Sequence, residues 1–491
     1  MTIRVLALDI GTSSVRASLY GEDGNPVPGG TARIAHQVTY HPDGAVETDP
    51  DELLACMDQA AAQCLQSAPG PVAAVGLSCF WHSLMGADAA MRPQTPLLIW
   101  ADTRSAQDAL ALRHRLDAEA VRARTGCRLH SSYPPAKLAW IRRMRPDWWG
   151  AVRHWLSFAE YATWHLTGQW IASVSIASGS GLYDQRAGCW DAEICDAVGL
   201  PLATLPPIAD LTEPGPLRPR GSGLWAGRDL AAARILLPAG DGACNNVGSG
   251  CLGPDRLALM IGTSGAARLC LPGGPWTVPP SLWQYRLDRR RGLVGGALSN
   301  GGNLHQWLLE SLRLPEAGGL DAAVGSLAPG AHGLVFLPLL AGERSPGWSP
   351  GATGGVVGLR EATTPLHLLR AGMEAVAMRF AAIVEDLGGN PQVIGSGGGV
   401  WHSAAWTQIV ADALGRDIGR SAEREASSRG AALLALEALG VLRDAADLPP
   451  PVSGVTAAAP GRREVYRRLW GAQQRLYDLL RSDPVLGFGE G

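Results

Sequence analysis

The 491-residue sequence predicts an α/β protein built from two similar halves, and three observations carry that expectation. The first is an internal echo. Leu6-Ala7-Leu8-Asp9-Ile10-Gly11-Thr12-Ser13 returns about 250 residues later as Leu257-Ala258-Leu259-Met260-Ile261-Gly262-Thr263-Ser264, changed only at Asp9 against Met260. The second is an alternation of short apolar runs with segments of helical periodicity, the pattern of mixed or parallel sheets covered by helices. The third is bulk. With 46% hydrophobic and 18% charged residues the chain is no disordered polyampholyte, and its length accommodates two large domains with their own cores.

Each copy of the echo reads as a β-hairpin: an apolar strand, a Gly-Thr-Ser turn, then a half-apolar return over residues 15–20 or 266–271. Asp49-Pro50 then starts a helix over 51–65, and 72–78 is a strand introduced by Pro71. Further helices are expected over 136–144, 158–166, 304–312, 373–387 and 406–414, with a strand at Val393-Ile394. The proline-rich stretch 448–460 reads as a loop. It leads into a terminal helix whose apolar stripe is Val465, Leu469, Leu476, Leu479 and Leu480. The expected division is 1–245 and 246–491.

Charge narrows the function. Forty-two basic and 45 acidic residues leave a net charge of −3, without a basic cluster to grip nucleic acid or an anionic membrane surface. No stretch approaches the ~18 apolar residues of a membrane span, and the N-terminal apolar run is cut by Asp9, unlike a secretory signal. Nine cysteines without a Cys-x-x-Cys pair point to reduced thiols in a cytoplasm. The single lysine, Lys137, precedes Leu138, so neither a Walker A loop nor a protein-kinase strand lysine is present. Nucleotide phosphates would have to be cradled by backbone N–H groups, hydroxyls, arginine and a metal ion. Lys137 itself, after Pro134-Pro135 at a helix start, is expected on a solvated face.

Four constellations bear chemistry. Asp9-Ile-Gly-Thr-Ser-Ser-Val-Arg16 offers turn N–H groups and a guanidinium to an anion, and an Asp9 buried at a strand end calls for a partner such as hydrated Mg²⁺. Asp241, flanked by Gly240 and Gly242, suits a base that accepts a hydroxyl proton, or equally a helix N-cap. Gly395-Ser-Gly-Gly-Gly399 lets backbone approach a nucleotide but lacks the Gly-x-Gly-x-x-Gly order of a nicotinamide site. Trp81-His82 with Trp100-Ala-Asp102-Thr-Arg suits a polyol or sugar acid, although a histidine after an apolar strand also serves as a satisfied core residue.

In this order and spacing the motifs resemble the FGGY family of carbohydrate kinases along essentially the whole chain. Asp9-Ile-Gly-Thr-Ser-Ser and Ile261-Gly-Thr-Ser-Gly-Ala resemble its two phosphate motifs, and Gly398-Gly399 followed by Trp406-Thr-Gln-Ile-Val-Ala-Asp412 its adenosine motif. His82-Ser-Leu, Trp100 to Ser105, Ile176 to Asp184, Asn300-Gly-Gly and Leu340-Ala-Gly-Glu-Arg-Ser-Pro look most like gluconate kinases. The resemblance implies two actin-like (ribonuclease H-like) α/β domains with an interdomain cleft, and ATP with Mg²⁺. It makes Asp241 the catalytic base beside acceptor and metal, and Asp9 a metal ligand. Thr12, Ser13 and Thr263, with Arg16, fall to the phosphates; Gly302, Gln306, Gly399 and Ser403 fall to the nucleotide side; Trp81 and His82 fall to the sugar. Two departures stand out: Trp401-His402-Ser403-Ala404 where the family often has Ala-Arg-Ser-Glu, and Trp81 where many relatives carry Met.

The expected activity is ATP-dependent phosphorylation of a sugar acid, gluconate first, at its terminal hydroxyl. A ketopentose (xylulose-like) or other polyol kinase is the neighbouring alternative, and an actin-like ATPase switch the remoter one. Expected partners are a small sugar or sugar acid and at most a second copy in a homodimer.

Overall fold

A computed structural model describes residues 3–483 apart from 214, 216, 221–222, 228, 316, 350 and 400–402. Both echo copies are hairpins. Arg4–Ile10 pairs antiparallel with Ser14–Gly21, and Gly253–Ile261 pairs antiparallel with Gly265–Pro272. On its other side each first strand gains a parallel neighbour, Ala74–Cys79 in the first half and Gln392–Gly398 in the second. These cores extend into sheets of six and seven strands. Helix Pro50–Ser67 packs on Ser14–Gly21 and Pro26–Ala35, and helix Ala426–Ala438 on Arg4–Ile10 and Ala74–Cys79. Arg4–Ile10 is therefore buried from Val5 onward, which explains its nearly continuous apolar run.

Helix Ala426–Ala438 comes from the far end of the chain, yet Ala431 to Leu436 belong to the first core. It crosses helix Asp241–Gly248 with backbone against backbone. A Cβ on Gly248 would lie 1.8 Å from the Ala426 carbonyl oxygen, and one on Gly430 would lie 1.9 Å from that of Cys244. The expected boundary at 245/246 falls inside the first of these helices. Two related sheets joined by a crossed helix pair form the actin-like, ribonuclease H-like arrangement that the resemblance implied.

Three local expectations need correction. Residues 448–460 include the strand Val452–Thr456, an edge partner of Ile418–Ser421; its prolines, Pro449 to Pro451 and Pro460, flank it, where no ladder donor is lost. The terminal helix, Arg462–Ser482, buries Tyr466, Gln473 and Tyr477; Leu469, Leu476 and Leu480 of the expected stripe pack half-buried beside them, but Leu479 is 67% exposed. Leu479 lies two residues beyond Tyr477, about 200° around the helix, on the solvent side. Lys137 is 1% exposed. Helix Pro134–Met144 is buried along its whole first turn, and the ammonium donates inward to the carbonyls of Ser132 at 2.6 Å and His82 at 3.5 Å. Among the described residues no helix is long and apolar enough to cross a membrane.

Candidate active site

The chemistry gathers at the carboxyl ends of the parallel strands in the first sheet, where ligands of open α/β sheets bind. Asp9, Ser78 and Ala239 stand side by side in register on three strands. The Asp9 carboxylate accepts from the Ser78 hydroxyl at 2.8 Å and from Arg16, its partner across the hairpin, at 3.1 Å. Burial raises its carboxyl, and Arg16 and Ser78 pull it back. In the second hairpin the same cross-strand position pairs Met260 with Ala266. Only the first half therefore carries the acid.

Asp241 opens the helix Asp241–Gly248 two residues beyond Ala239. The N-cap is Gly240, with no side chain to bond, so Asp241 is not a capping residue. Its Oδ1 accepts from the Gly242 N–H at 2.7 Å. Burial pushes the carboxyl up to about 6; Arg268 opposes the rise and Asp9 adds to it. The flanking glycines serve Trp81 rather than a substrate, because a Cβ on Gly240 would lie 1.9 Å from the Trp81 ring. Arg268, which sequence reasoning missed, crosses from strand Gly265–Pro272 to the same helix. It donates to the side-chain oxygens of Asn246 at 3.0 Å and Asn245 at 2.8 Å. The signal lay in Asn245-Asn246, four residues after the acid, but its partner is distant in sequence.

A cavity of about 250 Å³ opens over Asp241. Thr12, Trp81, His82, Trp100 and Tyr133 line it from the first half; Thr263, Arg268, Tyr285 and Arg344 line it from the second. The two Gly-Thr-Ser turns thus face one space. Trp81 is anchored by its indole N–H to the Ser175 carbonyl at 2.9 Å. His82 adopts a left-handed backbone, φ 67°, and its Nδ1 bonds the Gly179 carbonyl at 2.5 Å. Burial first, with Lys137 and Arg344 adding, holds its pKa near 3 despite that bond. The ring is neutral with the proton on Nδ1, so Nε2 is an acceptor. Arg344 lies 4.9 Å from the centroid of the Trp100 ring and donates to the Leu298 carbonyl at 2.8 Å, while its buried Nε has no partner among the described residues. Arg344 falls within the segment 340–346, but nothing in that string marks the arginine as the cavity residue.

Other expected residues lie elsewhere. Asp102 does not line the cavity: its carboxylate is spent on the Val46 N–H at 3.1 Å and on backbone and side chain of Arg104, which pins the turn carrying Trp100. Arg16 divides itself between Asp9 and Glu425, each at 3.1 Å. Ser13 is exposed in the turn, its carbonyl accepting from the His36 N–H at 3.2 Å. Gly302 starts the helix Gly302–Ser311, which docks on the second turn through its N–H to the Gly262 carbonyl at 2.7 Å. Gln306 on that helix bonds Glu310 at 2.7 Å. Gly399 packs near Trp406, whose indole stacks with His305 at 5.2 Å. Ser403 caps helix Ala404–Leu414 through the Trp406 N–H and donates to Asp321 at 2.5 Å. Gly302 thus sits on the second half's turn and Gly399 beside Ile261, and none of these four residues lines the cavity. Trp401 and His402 lie outside the described residues.

Among the described residues no group of three metal-binding side chains is assembled. Asp9 and Asp241 nonetheless fit a hard cation that keeps most of its water. They are oxygen donors, both raised by burial, and Asp9 further raises Asp241.

Profiles for the N-terminal and C-terminal domains of the FGGY family of carbohydrate kinases match residues 4–220 and 257–439. A gluconokinase of Bacillus subtilis (strain 168) is 28% identical over 457 residues, 90% of this chain and 88% of its own. A xylulose kinase of Escherichia coli (strain K12) is 28% identical over 483 residues, 95% and 98%. In fold, the gluconate kinase structure from Lactobacillus acidophilus matches with a TM-score of 0.89 over 98% of this chain and 99% of its own, at 24% identity.

Proposed function

The chain belongs to the FGGY family of carbohydrate kinases, ATP-dependent enzymes acting on small sugars, and we propose that its acceptor is a sugar acid, gluconate first, phosphorylated at the terminal hydroxyl. Arg344 carries this reading. Its buried Nε is unpartnered and its guanidinium sits against Trp100 at the cavity wall. A substrate carboxylate completes that donor set with charge-assisted bonds, whereas a neutral polyol leaves a buried donor unpaired. His82 complements it, because Nε2 as an acceptor receives a hydroxyl and not a carboxylate.

Asp241 then accepts the proton of the terminal hydroxyl. The freed oxygen forms its bond to the γ-phosphorus as the bond to the bridging oxygen breaks, and ADP leaves with that electron pair. With a pKa near 6, Asp241 is ionised at neutral pH yet basic enough to take the proton. The Thr12 and Thr263 turns enclose the transferring phosphoryl group. Mg²⁺, held by Asp9 and Asp241, would neutralise phosphate charge. Arg268, gripped by Asn245 and Asn246, keeps a fixed positive charge beside Asp241.

The test is ADP release with Mg²⁺-ATP across sugar acids, ketopentoses and polyols. At least a tenfold higher kcat/KM for gluconate supports the reading, and preference for a neutral sugar overturns it. A ketopentose is the second reading. It is favoured by the E. coli xylulose kinase likeness and by His82, Tyr133 and Tyr285, which read hydroxyls on either substrate. ATP hydrolysis indifferent to every sugar would favour a conformational ATPase instead.

A further inference from the structure

The chain's only lysine is buried at 1% exposure behind the acceptor cavity. Its ammonium joins two backbone segments that form the cavity wall. One is His82, whose left-handed φ of 67° is a conformation that non-glycine residues hold only when the surroundings impose it. The other is Ser132, which leads directly into Tyr133. Lys137 donates to the Ser132 carbonyl at 2.6 Å and reaches that of His82 at 3.5 Å. His82 and Tyr133 both line the cavity, the Tyr133 hydroxyl bonding that of Tyr285.

We propose that Lys137 is a positioning residue for the acceptor: by clamping the His82 and Ser132 carbonyls, its ammonium holds the His82 ring and the Tyr133 hydroxyl where the sugar's hydroxyls bind. The proposal rests on the carbohydrate-kinase assignment and not on the choice of a sugar acid. A charged donor suits this role, since bonds from an ammonium to carbonyls are stronger than those from a neutral amine.

The clamp is also sensitive to pH. Burial pushes Lys137 down to about 7, with Asp102 drawing it up and Arg104 pressing it further down. Among the described residues His82 and His130 also interact with it, and both stay neutral through this range. Above neutrality the clamp loses its charge. Acceptor KM therefore rises on a limb distinct from the one near pH 6 that Asp241 imposes on kcat.

A single lysine makes the test direct. Lysine labelled with ¹³C at Cε gives one side-chain NMR signal, which is titrated in the wild-type protein without nucleotide. The acceptor is whichever sugar of the substrate panel turns over, so failure of gluconate as substrate leaves this test standing. By linkage, an acceptor that needs the clamp raises the midpoint of that titration, expected by at least half a pH unit at saturation. Lys137→Met is expected to raise acceptor KM at least tenfold, leave ATP KM within twofold and abolish the high-pH limb, and Lys137→Arg to recover part of the KM. A titration midpoint unmoved by acceptor, or a folded Lys137→Met enzyme with acceptor KM within twofold of wild type, overturns the proposal. Should Lys137→Met fail to fold, the wild-type titration decides alone.

Discussion

The hydroxyls of Tyr133 and Tyr285 meet at 2.6 Å, one tyrosine from each half of the chain, and both rings stand edge-on to His82. Through this pair the two halves share one wall of the cavity over Asp241. Losing such a bond costs about 1 kcal/mol, so Tyr133→Phe and Tyr285→Phe should each raise acceptor KM about fivefold. Because the two hydroxyls serve one bond, the double variant should fall short of the sum by about 0.5–1 kcal/mol. Full additivity in the steady-state cycle would show that the contact does not couple the halves.

Asp241→Asn keeps size and most hydrogen bonding but cannot accept a proton. We expect kcat to fall at least 100-fold, within the usual worth of a general base, with the nucleotide Kd changed less than threefold. Near-normal turnover in a stopped assay would remove Asp241 as the base.

The same residue links activity to stability. The folded pKa of about 6 lies above the ordinary 3.8, so the folded state holds this proton more tightly than the unfolded chain. That stabilisation is complete below about pH 4 and is lost as pH rises through 6. In metal-free, nucleotide-free buffer, Asp241→Asn should therefore melt higher than wild type at pH 7.5, by about 1–2 °C per kcal/mol regained, and at the same temperature as wild type at pH 4. In the wild type, kcat should climb through pH 6 and then level. A variant that melts lower at pH 7.5 would contradict a buried, ionised carboxylate.

Arg344 tests substrate choice. Arg344→Leu removes the unpartnered Nε with the charge, and a lost charged hydrogen bond costs about 1.5–3 kcal/mol. The kcat/KM for gluconate should drop roughly 10- to 150-fold, while that for a neutral polyol moves less than threefold. Equal losses on both substrates would make Arg344 a support for Trp100 rather than a reader of carboxylate.

Gly248 and Gly430 set the contact between the crossed helices. Gly248→Ala drives a methyl into the Ala426 carbonyl, an overpacking that typically costs about 1–3 kcal/mol. A melting temperature lower by several degrees is expected, and an unchanged one would mean that the helices separate easily.

Much of this was legible because it is local. The hairpins are short-range pairings of apolar strands around a turn, so the repeated string predicted both. Asp241 was legible as the one acid between two glycines ahead of a helix, although the glycines turned out to admit Trp81. Asp102 misled for the opposite reason. Its neighbours Trp100 and Arg104 suggested a sugar site, but Arg104 folds back on it and Val46, 56 residues away, takes the remaining lone pair. Ser403 behaved likewise, its hydroxyl spent on a helix cap and on Asp321.

The duplicated α/β architecture, the family, the two Gly-Thr-Ser turns and the acid proposed to accept the proton are all written in contiguous strings with a defined period or turn chemistry. Part of the cavity lining, Thr12, Trp81, His82, Trp100 and Thr263, stood in such strings, but the partners that complete it and the state of its charges arise only on folding. Arg268 meets Asn245 and Asn246, Arg344 lies against Trp100, and Tyr133 reaches Tyr285 from 152 residues away. Lys137 shows why. Whether an ammonium is solvated or clamped between two carbonyls depends on which backbone folds over it, and the residues beside it in sequence do not encode that.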